Sequence, residues 1–304
     1  MLQEAFYWLF NMSIIATITG AIIMLIRRVK KIPKRVVVFL WLIPFLRMMI
    51  PFGLNSPYSL LRLLSKITTK TIIVYQPTDT FAFSVTNSIR VANRYFPMTF
   101  KKDIFHTIFH ASSIIWLIVF LTILFILIVI YCTTLHEMKR AKHFRENIYF
   151  SDQITSPAVY GIMKPKIILP YFYEQKDMEL ILLHERIHIR RADNFWRLLA
   201  FLIAAVHWFN PLSWLFLKLF LSDLELSCDE YVLVKLGRGR MKEYALSLLK
   251  SKENANMFSS AFGGGKTKTR IENILSFKKM TCFSFAFFLA FIAVMFFVLL
   301  TNAA

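Results

Sequence analysis

Apolar residues along this chain gather into long unbroken runs, with polar stretches between them. Four runs, Phe6–Ile26, Val36–Leu54, Ile114–Tyr131 and Cys282–Leu300, approach the roughly 20 residues that a helix needs to cross about 30 Å of hydrocarbon. The second contains Arg47 and Pro51; Arg47 lies near one end, where a long basic side chain can snorkel to the headgroups. A fifth run, Leu198–Leu221, is broken near its middle by Asn210-Pro211, a natural interruption. Two arms of about 12 residues would each reach roughly 18 Å and bring the chain back to its starting side. Residues 198–221 therefore read as a membrane-associated helical hairpin, with His207 an interfacial residue near its tip.

The polar stretches predict shorter elements. A basic helix is expected around Leu135–Glu146, followed by strands near Asn147–Ser151, Ala158–Gly161 and Lys166–Pro170. The bend Gly161–Pro165 separates the last two, as turn chemistry predicts. Helices follow over about Lys176–Arg191, up to Gly237, and around Met241–Lys250, and Gly263–Gly265 forms a linker into the last apolar run. No internal repeat is evident.

The short connector after the first run holds Arg27, Arg28, Lys30, Lys31, Lys34 and Arg35, and such a cluster belongs on the cytoplasmic side. This gives an organisation: two transmembrane helices with a basic cytoplasmic loop (1–55), an extracytoplasmic loop (56–112) and a third transmembrane helix (113–132). A cytoplasmic α+β domain (133–281) and a fourth transmembrane helix with a short outer tail (282–304) complete it. Both termini then lie outside the cell membrane. Glu4 rather than a basic region precedes the first run, unlike a signal peptide.

Composition agrees: 57% hydrophobic residues is too apolar for a soluble enzyme. A formal net charge of +19 raises the question of nucleic acid. With no zinc finger or RNA-binding signature, no direct nucleic-acid contact is expected, and attraction to an anionic inner leaflet accounts for the charge. Cys132, Cys228 and Cys282 are far apart and form no disulfide framework, as suits a reducing compartment.

The chemistry sits in His184-Glu185-Arg186-Ile187-His188. Two histidines four residues apart on a helix project from one face and can take two positions of a tetrahedral Zn²⁺ site. Glu185, turned to the side of that face, is placed to accept a proton from water at the metal rather than to ligate. The competing reading is a polar helix whose histidines bond to backbone carbonyls; a partner ligand decides between them. Asp223-Leu-Glu225-Leu-Ser-Cys228-Asp229 supplies one, with Glu225, Cys228, Asp229 and Val232 on one helical stripe. Glu225 is assigned as third zinc ligand, with Cys228 its rival, since two histidines and a glutamate are the more typical catalytic set. Asp229 is expected to orient a ligating histidine. Asp193 either does the same or caps the following helix.

These motifs, with Ser156–Pro170 and His207-Trp-Phe-Asn-Pro211, resemble the BlaR/MecR-type membrane zinc metallopeptidases, antirepressors of β-lactamase and methicillin-resistance regulons. The resemblance implies a polytopic α-helical membrane protein with a cytoplasmic, gluzincin-like α+β zinc peptidase domain. By it, His184, His188 and Glu225 hold the zinc and Glu185 is the catalytic base. It also implies self-cleavage, for which Ala261-Phe262 in the Ser/Gly-rich segment is the candidate bond, and a cytoplasmic repressor as substrate. Strand Lys166–Pro170 is a candidate for pairing with substrate backbone. The chain ends soon after its last apolar run, so a penicillin-binding sensor domain after that run is expected to be lacking. The stimulus would then reach the outer loop or a separate sensor protein, with a homodimer as a further possible assembly. Two other readings compete: a non-catalytic signalling scaffold, and a constitutive quality-control protease.

Overall fold

The computed structural model describes residues 2–29, 31–50, 55–60, 104–152, 154, 156–171, 175–253 and 267–303. Most of the outer loop and the self-cleavage candidates Ala261 and Phe262 lie outside them. Three described helices are long and apolar enough to cross a membrane: Leu2–Arg27 (α1), Thr107–His136 and Cys282–Leu300. The expected span over Val36–Leu54 differs. It forms two short helices, α2 (Lys34–Leu40) and α3 (Leu42–Met49), which meet at Trp41. Pro44 explains the break: without an N–H it cannot continue a helix that began at Lys34, but it is tolerated in the first turn of a new one.

The second of the long helices lies within α4 (Ile104–Met138). The basic helix expected as far as Glu146 stops at Met138, and Lys142–Arg145 instead forms strand β2, paired antiparallel with β3 (Ile148–Phe150). Glu146 adopts φ 52° to make the tight connection. Cross-strand pairing overrides the local pattern here, which carries no alternation of apolar residues. The sheet runs β2–β3–β5–β4, with β4 Ala158–Tyr160 and β5 Lys166–Leu169. Because β5 is an inner strand between β3 and β4, its backbone groups are already taken, and it has no edge to offer a substrate.

Helix α5 (Gln175–Arg190) covers this sheet, packing Ile181 against Ile148, Ile167 and Leu169. Its other face packs Leu180 and Ile187 against Cys228, Val232 and Leu233 of α7 (Pro211–Leu236) and Tyr244 of α8 (Met241–Glu253). Ile274 of α9 (267–275) completes this second core. Between α5 and α7 runs α6 (Asp193–Val206).

Helices α6 and α7 form the hairpin. At its turn Asn210 caps α7 by accepting from Leu212 N at 2.9 Å, and Pro211 takes the first helical position, where its missing N–H costs nothing. The Asn210 amide also donates to Ser13 and Thr17 of α1 at 2.8 and 2.9 Å. Trp116 of α4 donates to Val206 O at 2.8 Å, and Phe209 meets Phe6 of α1 edge-on. The tip is thus inserted among the long helices. His207, expected at an interface, is buried, with Nδ1 3.1 Å from Ile203 O. Helices gain little by hiding apolar surface from lipid and associate through close packing; Ala16 and Gly20 of α1 supply it here. A Cβ on Gly20 would lie 2.3 Å from the Phe216 ring of α7.

The last span, α10 (Cys282–Leu300), is tied down at its end. Arg47 does not snorkel: it is buried and donates to Leu299 O at 2.9 Å and Thr301 O at 2.7 Å. Those terminal carbonyls lack helical partners and carry the negative end of the helix dipole, which attracts a guanidinium. Strand β1 (Asn55–Ser56) pairs parallel with β6 (Asn302–Ala303) beside this contact.

The basic connector is partly an internal clamp. Arg27 pairs with Asp223 at 2.6 Å, and the Trp41 indole donates to the same oxygen at 2.9 Å. Glu230 accepts from the backbone of Lys34 and Arg35 at 2.8 and 3.3 Å and pairs with the Arg35 guanidinium. Arg28 and Lys31 remain exposed. Asp223 and Glu225 lie two residues apart, about 200° around a helix. One face of α7 therefore grips the connector while the other looks at α5.

Candidate metal centre

On α5 the four-residue spacing brings His184 and His188 onto one face, with their Nε2 atoms 3.0 Å apart. Both are buried, at 6% and 3% exposure. Glu225 approaches from α7, its carboxylate oxygens 3.6 Å from His184 Nε2 and 3.7 Å from His188 Nε2. The rival, Cys228, also arrives: His184, His188 and Cys228 offer donor atoms all within 4.8 Å of one another. The two candidates differ in setting. Cys228 is fully buried, its thiol 3.6 Å from His184 O in the seam between α5 and α7. The Glu225 side chain is 31% exposed and is paired with Arg197 of α6 and, at 3.6 Å, with Arg270 of α9.

The outer edges of both imidazoles are held. Asp193 Oδ2 lies 2.6 Å from His188 Nδ1, and Arg191 pairs with its other oxygen at 3.3 Å. Capping is not its role, since the cap of α6 is Ala192, in a left-handed conformation with no side-chain bond. Asp229 is 3.5 Å from His184 Nδ1, beyond a good hydrogen bond. Tyr244 fills that interval, with its hydroxyl 2.6 Å from Asp229 Oδ1 and 2.9 Å from His184 Nδ1. Arg270 grips Asp229 with two bonds, Nε to Oδ2 at 2.8 Å and Nη2 to Oδ1 at 2.7 Å.

An acceptor at Nδ1, the Asp193 carboxylate for His188 and the Tyr244 oxygen for His184, keeps the ring proton there and leaves Nε2 as a lone pair. Two such lone pairs facing one another across 3.0 Å, with carboxylate oxygens beside them, call for positive charge at their meeting point. The electrostatics agree. Burial alone would lower the His184 pKa, but Cys228 and Glu225 outweigh it and raise it to about 10. His188 is likewise raised well above its ordinary value against burial, by Glu225 and Cys228. Burial opposes ionisation of Glu225, yet His188, His184 and Arg270 hold it well below the usual carboxylate range. Without a metal the pocket attracts protons, and a divalent cation fits the same donor set. Burial and Asp229 push the Tyr244 hydroxyl up, so it stays protonated as a donor.

Glu185, buried at 7% exposure, follows His184 about 100° around the helix. Among the described residues no hydrogen bond or ion pair engages its carboxylate. All of the predicted donor residues and both supporting aspartates thus converge around one histidine pair. Sequence reasoning missed Tyr244, Arg197 and Arg270. A site with several buried acids demands buried cations, but nothing marks which of 37 Lys and Arg supply them.

Comparison with known proteins fits this geometry. The regulatory protein BlaR1 of Bacillus licheniformis is 31% identical over 157 residues, 47% of this chain and 26% of that protein. The methicillin resistance mecR1 protein of Staphylococcus aureus is 33% identical over 107 residues, 34% of this chain and 18% of its own length. BlaR1 of Staphylococcus aureus is 27% identical over 144 residues, 43% of this chain and 25% of that protein. The matches thus span about a quarter or less of these relatives. The family described as BlaR1 peptidase M56 matches residues 7–275, from α1 through the α9 helix that bears Arg270. A match that takes in the first long helix, the histidine helix and every side chain described around it leaves one conclusion: this chain, with its helices long and apolar enough to cross a membrane, belongs to the BlaR1 peptidase M56 family.

Proposed function

We propose that the chain is a signal-regulated, membrane-embedded zinc metalloendopeptidase of the antirepressor type, which cleaves itself, a cytoplasmic transcriptional repressor, or both. The observation that carries this is the pair of Nε2 atoms from α5 3.0 Å apart, with the Glu225 carboxylate of α7 spanning both at 3.6 and 3.7 Å. In this reading His184, His188 and Glu225 hold Zn²⁺, the catalytic two-His, one-Glu set. Glu225 is preferred to Cys228 because its partly exposed side chain opens towards solvent, whereas the thiol is sealed between helices. Zinc, when bound, supplies Lewis acidity that polarises a peptide carbonyl and lowers the pKa of water to about 7. Glu185 takes the proton from the attacking water and returns it to the leaving amine nitrogen. Asp193 and Asp229 keep the imidazoles in the ligating tautomer.

The site belongs to a gluzincin-like α+β domain at the cytoplasmic face, a side supported by the exposed Arg28 and Lys31 of the connector. Helices α2 and α3 together complete a second crossing between α1 and α4, which puts both termini outside. The relatives, a regulatory protein and a methicillin resistance protein, support a signalling role over constitutive proteolysis. A homodimer and a separate sensor protein are the assemblies we propose for that role. The test is reconstitution in lipid vesicles with Zn²⁺ and mass spectrometry of the chain and of an added repressor. Wild type is expected to generate fragments, including a cut at Ala261-Phe262, while Glu185→Gln binds zinc and cuts neither. Equal cleavage by Glu185→Gln refutes the reading.

A further inference from the structure

Asp229 is too far from His184 to orient it directly, and the residue between them has no part in the reaction just described. Tyr244 is 1% exposed, and its hydroxyl lies 2.6 Å from Asp229 Oδ1 and 2.9 Å from His184 Nδ1. A phenol has one proton to give and lone pairs to accept with. Asp229 also accepts two bonds from Arg270, at 2.7 and 2.8 Å, so both of its oxygens are already engaged as acceptors. The Tyr244 proton therefore goes to Asp229, and the tyrosine oxygen must accept from His184 Nδ1. That fixes the His184 proton on Nδ1 and leaves Nε2, which faces His188 and lies 3.4 Å from Arg270 Nη2, as an acceptor lone pair.

We propose that Tyr244 is the positioning residue for His184, relaying the charge of Asp229 to the imidazole, and that Arg270 holds the relay in register. It rests on reading His184 as a metal ligand. The two histidines are then supported by different devices: His188 by direct contact with Asp193, His184 by a three-residue chain. Tyr244 is not a catalytic residue, because its hydroxyl meets the edge of the ring turned away from Nε2. The relay also joins three elements. Asp229 comes from α7, Tyr244 from α8 and Arg270 from α9, the last helix before α10. His184 is consequently oriented only while α8 and α9 are both docked.

Tyr244→Phe removes the relay oxygen and little else, since Asp229 keeps both bonds from Arg270. The measurement is zinc affinity of the full-length protein in detergent, by competition with a chromophoric chelator. It is paired with the visible spectrum of the Co²⁺ form and the thermal midpoint of the metal-free form. Loss of a partner behind a ligating histidine weakens metal binding roughly 10- to 100-fold. Tyr244→Phe is expected to show that weakening and an altered Co²⁺ spectrum in a protein that still gives a cooperative metal-free transition, its midpoint lowered only by the lost buried hydrogen bond. Wild-type affinity in Tyr244→Phe, with affinity abolished in His184→Ala, overturns the relay and leaves the ligand assignment standing. Wild-type affinity in His184→Ala overturns both. Should Tyr244→Phe fail to fold, Asp229→Asn carries the same expectation, and unchanged zinc affinity there refutes the relay.

Discussion

Arg27→Met should destabilise the folded protein more than Asp223→Asn, although the two remove opposite ends of one ion pair. The Asp223 side chain is 0% exposed and Arg27 is 23% exposed, with Nε and Oδ2 at 2.6 Å. Removing one partner of a buried pair costs roughly 3–5 kcal/mol, because the other charge is left without compensation. Arg27→Met leaves Asp223 sealed inside, with the Trp41 indole at 2.9 Å and Lys34 Nζ only at 4.0 Å, so about that full cost is expected. Asp223→Asn leaves a cation that already touches solvent, and an amide oxygen can still accept from Trp41, so about 1–2 kcal/mol is expected. The assay is the thermal midpoint of each variant in one detergent at one pH, with zinc saturating and again with chelator. Zinc affinity should also fall in Arg27→Met, because α7 carries both Asp223 and Glu225. Equal midpoints, or a larger drop in Asp223→Asn, would refute the asymmetry.

Two further outcomes follow from the packing and the charge of the site. In the metal-free protein His184 titrates at about 10 against an ordinary 6.5. A raised pKa stabilises the fold fully below about pH 6.5, and that contribution is lost as pH rises through about 10. The metal-free midpoint should therefore fall between those values, the zinc-loaded one should fall less, and His184→Ala should reduce the slope, leaving the part that the raised His188 contributes; a midpoint that rises with pH contradicts this. Gly20→Ala should lower the midpoint by an amount equivalent to about 1–3 kcal/mol, since the new Cβ meets the buried Phe216 ring at 2.3 Å. Phe216→Leu should recover part of the loss, and a neutral Gly20→Ala would show that α1 and α7 are not so closely packed.

How much of this could be read from the chain depends on whether the deciding signal is local. The three long spans are written in uninterrupted apolar composition, and the histidine pair in a four-residue helical period, so both are legible. Glu225 and Asp229 were reachable because they share a stripe on one helix. The break of the second run into two helices was not legible because hydropathy does not register how Pro44 restarts a helix at Trp41. Arg47 and His207 misled in the same way: each is polar within an apolar run, and only the tertiary structure shows where it is used. Arg47 caps carbonyls 252 residues away at the end of α10, and His207 turns back on its own helix. Strand β2 is made by its partner, its own residues being exposed and unpatterned. Tyr244 and Arg270 reach the site from helices without motifs, 60 and 86 residues from His184, and no spacing rule links them to it.

The proposed function stands or falls on two imidazoles of α5 and a carboxylate of α7 holding one metal ion. The most direct measurement is zinc content per chain after exhaustive dialysis of wild type, His184→Ala, His188→Ala, Glu225→Ala and Cys228→Ser. One zinc is expected in wild type and in Cys228→Ser, and little or none in the other three. A wild-type protein without zinc, or zinc lost in Cys228→Ser yet kept in Glu225→Ala, would contradict it.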